Sequence, residues 1–516
     1  MGFNDVLAVS AKARLGWIAG SMTLTILLNA CVVGPKYTKP TAPIPPAYKE
    51  QAAEQGAGEW KKAQPNDQIA RGAWWEIYSD PQLNSLENRI NISNQNLKNA
   101  EALFRQARAL VHANRAGYYP VITAGPSITV SHSPSNRFSS GGVVNAGTTA
   151  AYSLPFDLSY EPDVWGRVRH LVEGSAASAQ ASAADLETVR LSTQSDLAVD
   201  YFELRTLDAE KELLDSTVAA YVRALELTTN RFKSGVASKV EVAQAETQLE
   251  TTRAQAIDIG VQRAQLEHAI ALLVGEPAST FSIPPAPLKL SPPKFPLGLP
   301  SELLERRPDI ASAERTVASA NAQIGIARTA YFPVLSIVAS VGLEATHITD
   351  WFSWPSRFWA VGPSLAQTLF DAGRRRAASE QAQAAYDATV AFYRQNVLTA
   401  FQEVEDNLAA LRILGEEAKV QDTAVKASER SLGLSMNRYK GGVVTYLEVI
   451  TAQSAALTNE RTAVDILRRQ MVASVLLVKA LGGGWDSSLL PSAHDMESSR
   501  SPTSATAVTS GERKTN

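Results

Sequence analysis

The chain is poor in the residue types that build metal centres and covalent cross-links. Its 516 residues include one cysteine and six scattered histidines, so a disulfide within the chain is impossible and a metal site is not expected. The 49 Lys and Arg residues are balanced by 52 Asp and Glu residues without a basic stretch, which argues against nucleic acid as a partner. A Ser-His-Asp set and a phosphate-binding loop are also missing. We therefore expect a protein that is not an enzyme and needs no cofactor.

The sequence contains nearly the same pattern twice. Two blocks keep register over many positions, at an offset of 207 residues in one and 213 in the other. The six-residue change must fall between 120 and 166, where a loop can absorb it. We interpret the pattern as a structural unit present in two copies rather than as a solenoid. The matching positions are 230–236 (NRFKSGV) with 437–443 (NRYKGGV), Gly275 with Gly482, and 118–121 (YYPV) with 331–334 (YFPV).

The N-terminus has the layout of a secretory signal. Basic residues precede an apolar stretch at 15–28, which is too short and too mixed for a confident transmembrane helix. Small residues then lead to Cys31, the lone cysteine, in a sequence that resembles a bacterial lipobox. We predict that Cys31 is acylated and becomes the mature N-terminus; the alternative is an ordinary signal peptide with an incidental cysteine. In lipoproteins of this kind, Val32 after the cysteine favours sorting to the outer membrane.

Four segments alternate apolar and polar residues with the period of a β-strand. Such alternation predicts strands with one apolar and one polar face. Aromatic residues cluster between the last two segments, at 351–359, and resemble a membrane-interface girdle. The alternative is a soluble sandwich whose turn is aromatic. The predicted strands are 121–132, 149–161, 334–345 and 358–370.

Two long stretches without proline predict unusually long helices. Proline is missing from 163–276 and from 364–490, and each run is interrupted only by the repeated glycine motif. Each run therefore predicts a helix of about 67 residues, a tight turn and a returning helix of about 37; the long helix would span on the order of 100 Å. No globular core is that long, so we expect extended coiled-coil-like hairpins. A single helix at 82–117 and the returning helix together match the long helix and can flank it from end to end.

These elements give a domain organisation in six parts. The fold class is a mixed α/β membrane protein built from two internal repeats. The parts are a signal peptide (1–30), a lipidated extended segment (31–80), a first repeat (81–277, with the strand pair at 121–161), a linker (278–302), a second repeat (303–486, with the strand pair at 334–370) and a disordered tail (487–516).

Several short motifs occur in an order that is specific when taken together. They are 31–37 (CVVGPKY), Trp74-Trp75, 80–83 (DPQL), 306–310 (RRPDI), 370–374 (FDAGR) and the two Asn-Arg-(Phe/Tyr)-Lys turns. Over nearly the whole mature chain, this arrangement resembles the TolC-like outer membrane factors, in particular the OprM/NodT lipoprotein branch of tripartite RND-type efflux systems.

The resemblance implies a trimeric channel. Three chains with four strands each would form one 12-stranded outer-membrane β-barrel, continued by a periplasmic α-helical barrel. The cost of unpaired backbone groups in lipid also favours oligomerisation, because four strands alone would leave such groups at an open edge. The implied function is an exit duct for drugs or toxic compounds. The implied partners are two further copies of the chain, a periplasmic adaptor, an inner-membrane RND-type transporter and outer membrane lipid.

The resemblance also assigns roles at the helical tip, which lies at the repeated turns. It implies a closed mouth lined by one set of residues, contacts between protomers through a second set, and turns that face the adaptor. Thr451 stands where the family branch usually has Asp, and Glu448 has the alternative reading of a solvated surface glutamate. The mouth residues are Leu447, Glu448, Thr451, Val240, Glu241 and Gln244; the contact residues are Arg438, Tyr439 and Arg231; the turn residues are Gly235, Val236, Gly441, Gly442 and Val443.

Two other functions remain open at this point. A TolC-like channel for polypeptide secretion is the nearer one, and the lipid anchor and motif set favour small molecules over it. A lipid-anchored periplasmic coiled-coil scaffold without a pore is the other. The four alternating segments discriminate, since a scaffold has no need of amphipathic strands.

The signal region gives a direct test of Cys31. Cells fed labelled palmitate should incorporate the label into the wild-type protein and not into Cys31→Ser, because the thiol is the acylated group. We expect Cys31→Ser to retain some assembly, since the barrel would still hold the protein in the membrane. Equal labelling of both proteins, or a mature N-terminus at another residue, would contradict the prediction.

Overall fold

The computed structural model describes most of the chain. The described residues are 32–50, 73–134, 138–139, 142–143, 147–288, 291–293 and 303–498. Cys31, the signal segment and residues 499–516 of the tail lie outside this set, so the predictions made for them stay predictions.

Long helices and one antiparallel sheet make up the described structure. The helices are α1 (Pro81–Ser93), α2 (Gln95–Arg115), α3 (Arg167–Lys233), α4 (Lys239–Leu273), α5 (Leu303–Arg306), α6 (Pro308–Thr329), α7 (Arg374–Lys440), α8 (Tyr446–Ala480) and α9 (Ala493–Glu497). The strands are β1 (Val121–Ala124), β2 (Ser127–Ser133), β3 (Phe138–Ser139), β4 (Gly142–Val143), β5 (Gly147–Tyr160), β6 (Val334–Ala345) and β7 (Arg357–Ala366).

The main sheet is four strands wide. β5 pairs with β6 and β6 with β7, while β1 and β2 both pair with β5 and together occupy one strand position. The predicted strand at 121–132 is thus interrupted at 125–126, because Pro126 has no amide hydrogen for the ladder. The last strand ends at Ala366 rather than at 370. β3 and β4 form a separate small hairpin.

The two helical hairpins have equal dimensions. α3 and α7 each contain 67 residues, and α4 and α8 each contain 35. The 67-residue prediction is confirmed, and the returning helices are two residues shorter than expected. Gly235 and Gly442 adopt positive φ angles of 74° and 75°, which a tight turn needs. Gly441, the other glycine of the second turn, has a φ of −75° and does not need the conformational freedom of glycine.

Each long helix is flanked by two shorter helices placed end to end. α2 and α4 pack along α3, and α6 and α8 pack along α7; α6 and α8 also contact α3 and so join the two halves. At the first junction, Asn94 donates from Nδ2 to the carbonyl oxygen of Leu273 at 2.7 Å. Its own side-chain oxygen accepts from the amide of Leu97 and caps α2. The prediction of one continuous helix at 82–117 is therefore wrong, because the extended backbone of Asn94 separates α1 from α2.

Glycine lets the stacked helix ends approach closely. Gly275 follows α4 and Gly482 follows α8, and both have positive φ. A Cβ at Gly275 would lie 2.8 Å from the carbonyl carbon of Ser93, and a Cβ at Gly482 would lie 2.7 Å from that of Arg306. At the second junction, buried Arg307 donates to the carbonyl oxygen of Ala480 at 3.1 Å. The two halves thus use the same device at equivalent places.

Residues 487–498 of the C-terminal segment pack against the helices. Met496 is buried against small side chains of α2 and α3, and Gln180 donates to the carbonyl oxygen of Pro491 at 2.9 Å. The Ser492 and Asp495 side chains form a capping box at the start of α9. The expectation of disorder from 487 onward is wrong for residues 487–498, since single apolar anchors such as Met496 have no helical or strand period to reveal them.

The junction glycines give a stability prediction. Gly482→Ala should destabilise the protein by more than the 1–2 kcal/mol typical of a left-handed alanine, because the new methyl group also overlaps the Arg306 carbonyl. Gly275→Ala should behave alike. Gly260→Ala is the control: it lies inside α4 with open space around it and should stabilise by roughly 0.5–1 kcal/mol. Thermal unfolding followed by circular dichroism measures the difference; equal melting of Gly482→Ala and Gly260→Ala would contradict the junction argument.

Candidate functional site

The sheet has one apolar face and one polar face. The register places Phe156 beside Val341 and Val341 beside Trp359 across three strands. The neighbouring positions on the opposite face pair Asp157 with Ser340. The predicted alternation is therefore confirmed by the strand pairing. The apolar face includes Ile122, Ile128, Val130, Leu154, Leu158, Leu343, Val361 and Leu365, and the polar face includes Thr123, Ser127, Ser153, Ser159, Ser336, Glu344 and Ser364.

Large apolar side chains on the apolar face are open to the surroundings. Trp359 is 79% exposed, and Ile122, Val341 and Leu365 are also exposed. On the polar face, by contrast, Ser336 and Ser364 share a hydrogen bond of 2.7 Å between their hydroxyl oxygens. A contiguous exposed apolar surface of this kind marks a contact with membrane or protein.

Aromatic residues lie at both ends of the apolar face. At the far end, Trp351 in the β6–β7 connection packs on Tyr152 with ring centroids 5.7 Å apart, so the connection leans toward the apolar face. At the helix end, the rings of Trp165 and Phe332 pack with centroids 4.9 Å apart, and Trp165 follows Tyr160 by five residues in the chain. The β5 strand covers about 26 Å between Tyr152 and Tyr160. This is close to the apolar band of roughly 25 Å between the aromatic girdles of outer-membrane barrels.

Tyr439 ties the two helical hairpins together at the tip. Its side chain is 1% exposed, and its ring packs on Tyr446 with centroids 5.3 Å apart. The Arg231 guanidinium, from the first hairpin, lies 4.6 Å from the centre of the Tyr439 ring. The Tyr439 hydroxyl reaches Thr228 and donates to Glu241, both at 3.4 Å. Within one chain this side chain is therefore already buried, and the expected contact of Tyr439 with a neighbouring protomer stays a prediction.

Two arginines at the tip also make contacts within the chain. Arg231 donates to the carbonyl oxygen of Lys440 at 3.1 Å, near the end of α7, where a cation interacts favourably with the helix dipole. Arg438 pairs with Glu448 at 2.8 Å across the turn between α7 and α8. Glu448 is thus paired with a cation within its own chain, and its role at the mouth stays a prediction. Both members of this pair remain partly exposed, so they stay accessible to other groups.

Apolar side chains stand out from the tip at equivalent positions. Leu447 in α8 is 57% exposed, and its counterpart Val240 in α4 is exposed as well. Thr451 bonds to the carbonyl oxygen of Leu447 in its own helix and brings no charge. Glu241 and Gln244 are half-buried. The predicted turn residues are exposed as well: Gly235, Val236, Gly441, Gly442 and Val443.

Sequence reasoning missed two members of this cluster, Tyr446 and Thr228. Tyr446 lies three residues after Val443 of the second glycine turn. That position is the only sequence signal for a buried aromatic side chain that faces Tyr439. Thr228 precedes the first Asn-Arg-Phe-Lys motif by two residues, and its own hydroxyl bonds to the carbonyl oxygen of Ala224.

Comparison with known proteins decides the family. Residues 86–276 and 299–483 match the model of the outer membrane efflux protein family. The chain belongs to this family. Over 474 residues it is 31% identical to the toluene efflux pump outer membrane protein TtgF of Pseudomonas putida, a match that covers 90% of this chain and 96% of that protein. Outer membrane protein OprJ of Pseudomonas aeruginosa is 30% identical over 471 residues, with 90% and 95% covered.

A solved structure matches over a similar extent. The outer-membrane channel OprN superposes with a TM-score of 0.81 at 28% identity, covering 88% of this chain and 100% of that one. This outer membrane efflux protein accordingly has the TolC-like channel fold, mostly helical with some sheet, and belongs to a class of ducts rather than of catalysts. None of the described helices combines the length and apolar composition needed to cross a membrane.

Proposed function

We propose that this outer membrane efflux protein is the exit duct of a tripartite pump for small toxic molecules. An RND-type inner-membrane transporter would load the duct, and a periplasmic adaptor would join the two. Relatives similar to this chain carry the names of toluene, solvent and antibiotic efflux pumps. The observation that carries the proposal is the four-stranded sheet with opposite faces, set on helical hairpins whose long helix spans about 100 Å.

Trimerisation follows from the open edges of the sheet. β7 lies at one edge and the β1–β2 position at the other, and each has only one neighbouring strand. In a bilayer an open edge costs several kcal/mol for each unpaired backbone group, so the strands must close through other copies. Three copies give 12 strands in one barrel. The helices at the two lateral edges support the same contact, because α4 exposes Leu272 (77%) and α7 exposes Val420 (72%).

The N-terminal segment supports the proposed lipid anchor. The amide of Val33 donates to the carbonyl oxygen of Trp165 at 3.2 Å, at the point where β5 gives way to α3. Cys31 precedes this contact by two residues. Acyl chains on Cys31 would therefore start near the level of the Trp165–Phe332 aromatic pair, where the inner surface of the outer membrane would lie.

We further propose that the tip of the helices closes the duct at rest. Leu447, from each of three chains, would narrow the mouth. The Tyr439–Arg231 contact and the Arg438–Glu448 pair would keep the two hairpins of each chain in the closed arrangement. Opening then requires a partner that binds the open state better. The exposed turn residues Val236 and Val443 offer the surface for such an adaptor.

Two alternative functions, a scaffold without a pore and a channel for polypeptides, differ from the exit duct in what they require. A periplasmic scaffold without a pore would have no use for a sheet that exposes Trp359 and Leu365 on one face and bonds Ser336 to Ser364 on the other. A channel for polypeptides would share this sheet, and the small-molecule names of the relatives favour the exit duct over it.

Arginine substitutions test which face of the sheet meets lipid. Leu154→Arg or Leu158→Arg should each cost about 2–4 kcal/mol per chain if the residue lies near the bilayer midplane, because the apolar face would place the charge in hydrocarbon. Ser153→Arg is the matched control on the polar face and should fold nearly as well as the wild type. Assembly into urea-resistant membrane trimers measures the effect. Equal tolerance of arginine on both faces would exclude the barrel.

Conductance tests the closed tip. Leu447→Ala should increase the single-channel conductance of purified protein in planar bilayers, and so should Arg438→Ala combined with Tyr439→Phe, because either change loosens the mouth. Glu448→Gln should mainly weaken the preference for cations. Val443→Ala, an exposed apolar residue on the turn, is the control and should conduct like the wild type. Wild-type conductance in every variant would place the gate elsewhere, with Val240 and Gln244 as the next positions to change.

A further inference from the structure

A buried histidine holds the start of the ordered N-terminal segment. The His170 side chain, in the first turn of α3, is only 7% exposed. Its Nε2 atom lies 2.9 Å from the carbonyl oxygen of Val33, and its Nδ1 atom lies 3.0 Å from a carboxylate oxygen of Glu173. The ring therefore connects the N-terminal segment to the long helix.

Both partners of the ring can only accept hydrogen bonds. A carbonyl oxygen has no proton, and a partly exposed carboxylate is an acceptor at neutral pH. A neutral imidazole has a single N–H and can satisfy one of the two partners, whereas an imidazolium has two and satisfies both. The geometry thus selects the charged form of His170.

The surroundings are shaped to this ring. A Cβ at Gly325, in α6, would lie 2.6 Å from a carbon of the His170 ring, and a Cβ at Gly34 would lie 2.8 Å from its Nε2 atom. Only glycine at these two positions leaves room for the ring between α3, α6 and the N-terminal segment. Asn321, one turn before Gly325, donates to the carbonyl oxygen of Pro35 at 3.1 Å and fixes the next part of the segment.

We propose that His170 is a positioning residue that docks residues 32–34 onto α3 and α6 as an imidazolium, and that this docking weakens when the ring loses its proton, because a neutral ring can donate to only one of Val33 and Glu173. The consequence is a fixed exit point for the chain at the boundary between the sheet and the helices. Without the charge, residues 32–34 would keep the amide bond from Val33 to Trp165 but would be held less firmly than the segment from Pro35 onward.

The charges around His170 all favour its protonated form. Glu173 lies on its own helix, and Asp163 lies in the turn before that helix; the N-terminal segment offers the Val33 carbonyl, and α6 offers Gly325, which has no side chain. The hydrogen bond to Glu173 raises the pKa of His170 above its ordinary value, although burial acts against it. Since the folded-state pKa is raised, the contribution of the charge to docking is fully present below the unfolded value of about 6.5 and is lost as the pH rises through the folded value.

Spin-label mobility measures the docking directly. Val32 is exposed and lies within the docked residues, so Val32→Cys carries a nitroxide that reports their docking, and Cys31→Ser removes the other thiol of the full-length protein. Between about pH 6 and pH 10 the spectrum should change from immobile to mobile, with the ratio of the two populations shifting about tenfold for each pH unit around the midpoint. A label at Thr41→Cys is the positional control, because Arg394 holds that carbonyl oxygen and no histidine is involved.

Three variants separate the charge from a merely structural role. His170→Gln should be mobile at every pH, while His268→Gln, an exposed histidine on α4, should titrate like the wild type. Glu173→Gln should stay docked at every pH, since an amide can accept from an imidazolium and donate to a neutral ring. A titration in Glu173→Gln that matches the wild type, or an immobile label in His170→Gln, would overturn the proposal. A wild-type label that stays immobile at about pH 10 would do so as well.

Discussion

A helix about 100 Å long must be covered by neighbours along its whole length, and the rest of the fold depends on how this is achieved. No second helix of equal length lies beside α3 within the first half. Two shorter helices share the task, and their ends meet at a single junction. The hydrogen bond from Asn94 to Leu273 and the bare backbone of Gly275 keep that junction compact. The second half repeats the solution with Arg307 and Gly482, so both halves reach the same length.

The register of the strands determines the two faces of the sheet. Since the strands pair without a bulge across β5, β6 and β7, each side chain keeps its face through the register, and most polar and apolar side chains are separated. Exceptions include Val338 and Phe358 on the polar face and Arg357 on the apolar face. The interruption between β1 and β2 preserves this order, because Ile122 before the break and Ile128 after it lie on the same face of the sheet. One face is therefore suited to lipid and the other to water. The unpaired edges of the sheet support the proposed oligomerisation.

Much of this architecture is readable from the sequence because it depends on local patterns. Period-two alternation located all four strand positions, and the spacing between Gly166 and Lys233 allowed a helix of the right length. Features that depend on contacts between distant residues were not readable. The break at Asn94 exists because α4 ends there, and Met496 is buried because small residues of α2 and α3 leave a surface for it. The same reason explains the tip, where Tyr439 packs against Arg231, which lies 208 positions earlier in the same chain.

The ordered N-terminal segment contacts partners that are far away in the sequence. Beyond its first contacts, Arg394 donates to the carbonyl oxygen of Thr41 at a separation of 353 residues, and Arg412 pairs with Glu50 at a separation of 362. Contacts of such high order form slowly, since the intervening chain must be in place first. The part of the protein that leaves the ribosome first is thus among the last to reach its final position. Until α7 has folded, residues 41–50 remain without the two arginines that hold them in place, Arg394 and Arg412.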